Sequence, residues 1–186
     1  MAEPTVAGAG SGEATGSLLP QVHALLHRLA HPAALLAWAP PALPGAEGAG
    51  GPGRPTGPGG DFAGAELRIL LLRPSPLRQV SGSATHLLVQ ALLARHPGVF
   101  VDLAFLPEPA DLPLLQRAGL SPAFGLLSGQ HARAFDVVAF SNSALLELAN
   151  IPYLLDRCGL LAPLGQRLAD RRLPLLLLLL LLLGGA

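Results

Sequence analysis

The chain has 186 residues and no net charge, because 12 arginines balance 12 acidic side chains. Its hydrophobic content of 51% excludes wholesale disorder, and its length suits one domain with tails. No basic run is longer than the pair Arg171 and Arg172, which argues against nucleic acid as a partner. The one cysteine, Cys158, cannot by itself form an intrachain disulfide, a structural zinc site or the ligand set of an iron–sulfur cluster.

The first 60 residues are predicted to precede the folded domain. Residues 1–16 are rich in Ala and Gly without apolar periodicity, which indicates a disordered tail. Apolar residues then recur at three- and four-residue steps over residues 17–39, which predicts short helices interrupted at Pro32. In residues 40–60, 14 of 21 positions are Gly or Pro, so we expect a flexible linker. The domain is therefore predicted to occupy residues 61–186.

Four short apolar runs in this domain predict strands that are covered on both faces. The helical patterns between them predict an α/β fold with an open, doubly wound parallel sheet. Leucine is a weaker strand former than valine, so a helix of about three turns stays open as an alternative for the fourth run. The predicted strands are Leu67–Arg73, Val99–Leu106, Phe135–Ser141 and Leu173–Leu183, and the predicted helices are Ser83–Arg95, Ala110–Ala118, Asn142–Cys158 and Leu164–Arg171.

Neither a membrane span nor a secretory signal is predicted. The run Leu173–Leu183 has 11 residues and contains Pro174, whereas a spanning helix needs roughly 20 apolar residues. The amino-terminal stretch Met1–Gly16 has no basic residue and no apolar run after it, unlike a signal peptide. We therefore expect a cytoplasmic protein with no membrane partner.

Three segments resemble the amino-terminal cobalamin-binding-type domain of radical S-adenosylmethionine proteins. The most specific is Phe135–Gly159, with the sequence FDVVAFSNSALLELANIPYLLDRCG. The segment Arg68–Thr85 is similar to the family's opening strand and its loop of small polar residues, and the closing LPLLLLLLLLLGGA is similar to its fourth strand and Gly-Gly turn. The resemblance covers residues 66–186, about two thirds of the chain.

This resemblance implies a flavodoxin-like cobalamin module that precedes a catalytic barrel. In the family, the barrel binds S-adenosylmethionine and a 4Fe-4S cluster through a CxxxCxxC motif, and this motif does not occur in the sequence. The DxHxxG loop, whose histidine coordinates cobalt in some cobalamin proteins, does not occur either, and His86 lies in a different context. A flavodoxin-like domain has five strands, so the interpretation is a domain that is incomplete at its carboxyl end and lacks the catalytic part.

A ligand site is predicted where the first and third strands end. In an open α/β sheet of order 2-1-3-4, ligands bind outside the carboxyl ends of these two strands, where the strand order reverses. Small and polar residues follow both strands, and each of them also suits a helix cap, so capping stays open as the alternative. The candidate residues are Ser75, Ser81, Gly82, Ser83 and Thr85 after the first strand, Ser141, Asn142 and Ser143 after the third, and Gly184 and Gly185 in the closing turn.

The remaining histidine, acidic and cysteine residues predict neither a metal site nor a catalytic site. The residues His23, His27 and His31 share a helix face and suit a metal, but Pro32 ends that helix, and a half-exposed polar stripe is the simpler interpretation. The acidic residues, among them Asp102, Asp136 and Glu147, show no carboxylate pair for acid–base catalysis. Cys158 is expected to be a buried, small apolar residue.

Three functions follow as hypotheses. The first is a cobalamin-binding module of a radical S-adenosylmethionine enzyme, and the second is a sheet that has lost cofactor affinity and acts as a docking platform for the catalytic domain. The absent histidine motif favours the second, and the small-residue loops favour the first. A stand-alone enzyme with a nucleotide cofactor would require a phosphate-binding fingerprint, which the sequence does not contain.

Overall fold

The computed structural model describes residues 18–30, 61–80, 85–142, 145–163, 165 and 175–180. Within these ranges the chain forms one sheet of four strands, and every pair of neighbouring strands is parallel. The strands are β1 (Leu67–Arg73), β2 (Val99–Phe105), β3 (Val137–Asn142) and β4 (Leu175–Leu180). Their spatial order is β2-β1-β3-β4, so the sheet is open and its strand order reverses between β1 and β3.

Short helices connect the strands. The α-helices are α1 (Leu19–Leu25), α2 (Leu77–Val80), α3 (Thr85–Leu93), α4 (Leu112–Arg117) and α5 (Asn150–Arg157). Single turns of 3₁₀ helix occupy Leu26–Arg28, Ala132–Ala134 and Leu145–Ala149.

Both faces of the sheet are covered, which explains why its strands are apolar without alternation. On one face Ile69 and Leu71 of β1 pack with Leu87 and Leu93 of α3. On the other face Leu70 and Leu72 belong to a cluster that includes Leu154 of α5. Because successive side chains of a strand point to opposite faces, a strand between two helical layers is mostly apolar on both faces, and a polar residue buried in it, such as Asp102, needs hydrogen-bond partners. The sheet is therefore the middle layer of an α/β fold.

The strands predicted from the sequence are confirmed, with small changes at their ends. The first lies where it was predicted, and the fourth run is a strand rather than a helix. The stretch predicted as one helix over Asn142–Cys158 is divided, because Asn142 ends β3 and a 3₁₀ turn precedes α5. Pro152 lies in the first turn of α5, where its missing N–H costs no helical hydrogen bond. The predicted tail, the linker and most of Leu164–Arg171 lie outside the described residues.

The first helix packs against the body of the fold, a contact that the sequence analysis did not predict. Val22 is fully buried and belongs to a cluster with Leu115 and Leu120. The backbone N–H of Ala30 donates to the carboxylate of Asp111 over 2.7 Å. Residues 18–30 are thus held by apolar contacts along the helix and by a polar contact after it.

The outer edge of β2 is covered by a turn that a buried aspartate holds in place. The Asp102 carboxylate accepts hydrogen bonds from the backbone N–H groups of Leu127 and Ser128 and from the Ser128 hydroxyl, at 2.7–3.0 Å. The Leu126 N–H donates to the Leu103 carbonyl of β2 over 3.0 Å. A Cβ atom at Gly125 would overlap the Asp102 carboxylate, so the turn requires glycine there.

None of the helices in the described ranges is long and apolar enough to cross a membrane.

Candidate functional site

The candidate site is the crevice between the carboxyl ends of β1 and β3. The register pairs Leu72 of β1 with Phe140 of β3, so the next residues, Arg73 and Ser141, lie at the same level. The side chains of Arg73 and Ser141 point to the same face of the sheet as those of Leu71 and Ala139, because residues two positions apart in a strand share a face. This is the face that α3 covers. The reversal of strand order between β1 and β3 makes this crevice the position where open α/β sheets bind ligands.

The structure brings three of the predicted site residues together at this edge. Ser75 follows β1, and Ser141 and Asn142 are the last two residues of β3. All three are buried. Thr85 begins α3, and nothing is described of its side chain. The predicted residues Ser81, Gly82, Ser83, Ser143, Gly184 and Gly185 lie outside the described residues.

A buried ion pair connects the end of β1 to the 3₁₀ turn after β3. The Arg73 Nε donates to the Glu147 Oε1 over 2.9 Å, and the two side chains are only 3% and 6% exposed. The Ser75 hydroxyl donates to the same oxygen over 2.7 Å. Asn150 Nδ2 donates to the Pro74 carbonyl over 2.9 Å. These contacts tie the loop after β1 to the 3₁₀ turn after β3, so the two rims of the crevice have a fixed spacing.

A histidine lies beside this ion pair on the α3 side. His86 is 2% exposed, and its ring meets the Phe105 ring edge to face, with the centroids 5.3 Å apart. Burial, helped by the charge of Arg73 and opposed by that of Glu147, lowers the pKa of His86 to about 4. His86 is therefore neutral at pH 7, and it adds a polar group to the crevice without adding charge.

Ser141 supplies a polar atom that the described part of the chain does not satisfy. Its side chain is 2% exposed, and its hydroxyl has no hydrogen-bond partner among the described residues. A buried hydroxyl without a partner costs free energy, and such groups in native proteins call for an explanation. A ligand group that enters the crevice beside Ser141 would provide this partner.

Two exposed leucines border the crevice. Leu145 and Leu146 are 82% and 86% exposed, and they begin the same 3₁₀ turn that buries Glu147. Their position directly after β3 places them at the carboxyl edge of the sheet. This edge therefore combines a buried polar centre with an apolar rim.

The other chemistry-bearing residues have structural roles or lie apart. Cys158 is buried in the apolar cluster under α5, as predicted, and burial raises the pKa of its thiol. Asp136 precedes β3 and accepts the Arg68 backbone N–H over 2.7 Å, at the amino edge of the sheet. His31 lies outside the described residues, and nothing is described of the His23 side chain. No group of three metal-ligating side chains occurs in the described ranges.

A concave surface lies between α4 and α5, and no residue of β1 or β3 lines it. It is a groove of about 150 Å³ whose lining includes Leu112, Gln116 and Tyr153. The Arg157 guanidinium lies 5.8 Å from the centre of the Tyr153 ring. The lining contains no buried charged group, so the groove lacks the polar centre that distinguishes the crevice at β1 and β3.

The strand order agrees with the order assumed in predicting this crevice, but the buried charges beside it were not predicted. Arg73 follows four consecutive buried apolar residues, Ile69–Leu72, and a charge that is buried in this way needs a partner. This signal was present in the sequence. The partner was not predictable in the same way, because Glu147 is 74 residues away and is one of 12 acidic residues in the chain.

Comparison of the chain with protein-family models, with curated proteins and with solved structures finds no match.

Proposed function

We propose that this chain is a flavodoxin-like, cobalamin-binding-type module of a radical S-adenosylmethionine enzyme. The observation that carries the proposal is the strand order β2-β1-β3-β4, which places the loops after β1 and β3 at one crevice. These are the loops in which the sequence resembles the cobalamin-binding-type domain. The catalytic chemistry would lie on other sequence, since Cys158 cannot bind an iron–sulfur cluster alone.

The residues at the crevice are compatible with such a ligand. The buried Ser141 hydroxyl has no hydrogen-bond partner among the described residues. The Ser75 hydroxyl donates to Glu147, and its oxygen can still accept a hydrogen bond. The sequence has small residues, Gly82 and Ser83, in the loop predicted after β1, and small residues there would let a large ring system approach the backbone. No DxHxxG motif is present, so we expect no histidine from that motif on the cobalt. When bound, cobalamin would supply cobalt-based radical or group-transfer chemistry.

Absorption spectroscopy tests the proposal. Hydroxocobalamin added to the purified 186-residue chain should stay with the protein through gel filtration and show a visible spectrum different from that of the free cofactor. Gly82→Leu should abolish retention, because Gly82 belongs to the loop predicted to approach the ligand. Gly64→Leu is the matched control, since a Cβ atom at Gly64 meets open space. Equal retention by both variants would place the ligand elsewhere.

A second candidate function is a docking platform for the catalytic domain, without a cofactor. The exposed Leu145 and Leu146 favour it, because adjacent apolar side chains at a ligand edge are typical of a contact surface. The fixed Arg73–Glu147 pair favours it too, since the crevice already contains polar partners. Under this alternative, hydroxocobalamin would elute free of the wild-type chain.

A further inference from the structure

The groove between α4 and α5 shares residues with the surface that holds α1. Leu115 and Leu120 line the groove, and both also belong to the apolar cluster that buries Val22 of α1. The groove is therefore continuous with a contact that the fold already makes with its own amino-terminal segment.

The polar contact after α1 fixes the point at which the chain leaves this surface. The Ala30 N–H donates to the Asp111 carboxylate over 2.7 Å, and Leu112, the residue after Asp111, lines the groove. The chain continues with the sequence HPAALLAW, residues 31–38, which lie outside the described residues. These residues can extend over about 26 Å, whereas the six residues of α4 cover only about 9 Å. The whole length of α4 is therefore within reach of the segment.

The size and the lining of the groove suit one aromatic side chain. Its volume of about 150 Å³ is below the roughly 300–1,000 Å³ of small-molecule and cofactor sites, and an apolar cavity of this size holds one benzene ring. Leucines of α4 and the Tyr153 ring supply apolar walls, and the Arg157 guanidinium supplies a cation that an aromatic face attracts. The amide oxygen of Gln116 can accept a hydrogen bond from an indole N–H.

We propose that the indole of Trp38 binds in this groove as a ligand from within the same chain. Trp38 is the only tryptophan, and it follows Leu35 and Leu36 in the apolar segment after Ala30. The tether at Ala30 favours this occupant over a second copy, because a short linker gives an effective concentration of about millimolar. No residue of β1 or β3 lines the groove, so the proposal does not depend on the proposed function.

The intrinsic fluorescence of the 186-residue chain tests the proposal without a label. Tyr153 is the only tyrosine and Trp38 the only tryptophan, so energy transfer from tyrosine to tryptophan reports on this one pair. We expect transfer in the native protein that is lost in urea, and iodide quenching of native Trp38 that is several-fold weaker than in the unfolded chain. Iodide quenching that is as strong in the native protein as in urea would contradict the proposal. Transfer that disappears on dilution would also contradict it, because it would indicate a second copy.

Two matched variants test whether the groove is what protects Trp38. Tyr153→Asp changes the fourth residue of α5, at an exposed position where the new carboxylate lies four residues before Arg157 and supports the helix. Leu88→Asp changes the fourth residue of α3, which is exposed and lies on the opposite face of the sheet. With the circular dichroism of both variants as in the wild type, Tyr153→Asp should raise iodide quenching of Trp38 several-fold, and Leu88→Asp should leave it unchanged. Protection that survives Tyr153→Asp, or that both variants remove equally, would contradict the proposal.

Discussion

Arg73 Nε lies 2.9 Å from Glu147 Oε1, and this buried pair joins the end of β1 to the 3₁₀ turn after β3. Arg73 ends β1 and Glu147 lies in the turn that follows β3, and β1 and β3 are the strands on either side of the reversal in strand order. The pair therefore connects the two rims of the crevice, and its loss should affect both stability and the shape of the site.

Removing one partner of this pair should be strongly destabilising. Glu147→Gln leaves the Arg73 charge buried, and breaking a buried pair in this way costs about 3–5 kcal/mol. The double variant Arg73→Met, Glu147→Leu should recover part of this loss, because it buries no charge. Urea denaturation of the wild type, Glu147→Gln and the double variant gives the free energy of unfolding of each protein.

The pair Arg78–Glu108, in which the arginine is exposed and the Glu108 side chain is 11% exposed, supplies the control for that experiment. Its atoms are 3.2 Å apart, but the Arg78 side chain is 63% exposed. Arg78→Met should cost less than about 1 kcal/mol. If Arg78→Met and Glu147→Gln lower the free energy of unfolding equally, burial is not what makes the Arg73–Glu147 pair important for stability.

Stability should fall as the pH is lowered through the titration of His86. The folded-state pKa of about 4 lies below the ordinary value of 6.5, so between these values the unfolded chain binds more protons. The stabilisation of the folded state by neutral His86 is fully present above pH 6.5, and it is lost as the pH falls toward 4. We expect about 2 kcal/mol of it to be lost between pH 7 and 4.5.

A variant without the imidazole isolates this contribution. His86→Leu should reduce the difference in unfolding free energy between pH 7 and pH 4.5. His96→Gln is the control, because it also removes a histidine but at an exposed position outside the core. An unchanged pH dependence in His86→Leu would show that other groups cause it.

Gly125→Ala should destabilise the turn on the β2 edge by about 2 kcal/mol or more, since overpacking forces buried groups apart. The added methyl would meet the Asp102 Cγ at 2.6 Å and the Ser128 hydroxyl at 2.7 Å. Gly64→Ala should be nearly neutral, because its methyl would meet open space. Thermal unfolding of the two variants gives the comparison, and similar melting temperatures would contradict the close packing at Gly125.

The strands were predictable because their cause is local. A continuous apolar run such as Ile69–Leu72 suits burial on both faces of a sheet, whatever lies around it. The crevice was predictable from general topology, since the strand order alone locates it. The docking of α1 was not predictable, because Val22 meets residues about 100 positions later in the chain. For the same reason the partner of Arg73 could be found only in the folded structure.

Chemical-shift mapping of the full chain with hydroxocobalamin tests the central claim most directly. The account predicts that amide shifts change around Ser75, Ser141 and Asn142, at the carboxyl ends of β1 and β3. Amides around Tyr153 in the α4–α5 groove should stay unchanged. Saturable changes confined to that groove, or no change anywhere at millimolar cofactor, would contradict the assignment of the crevice as a cobalamin site.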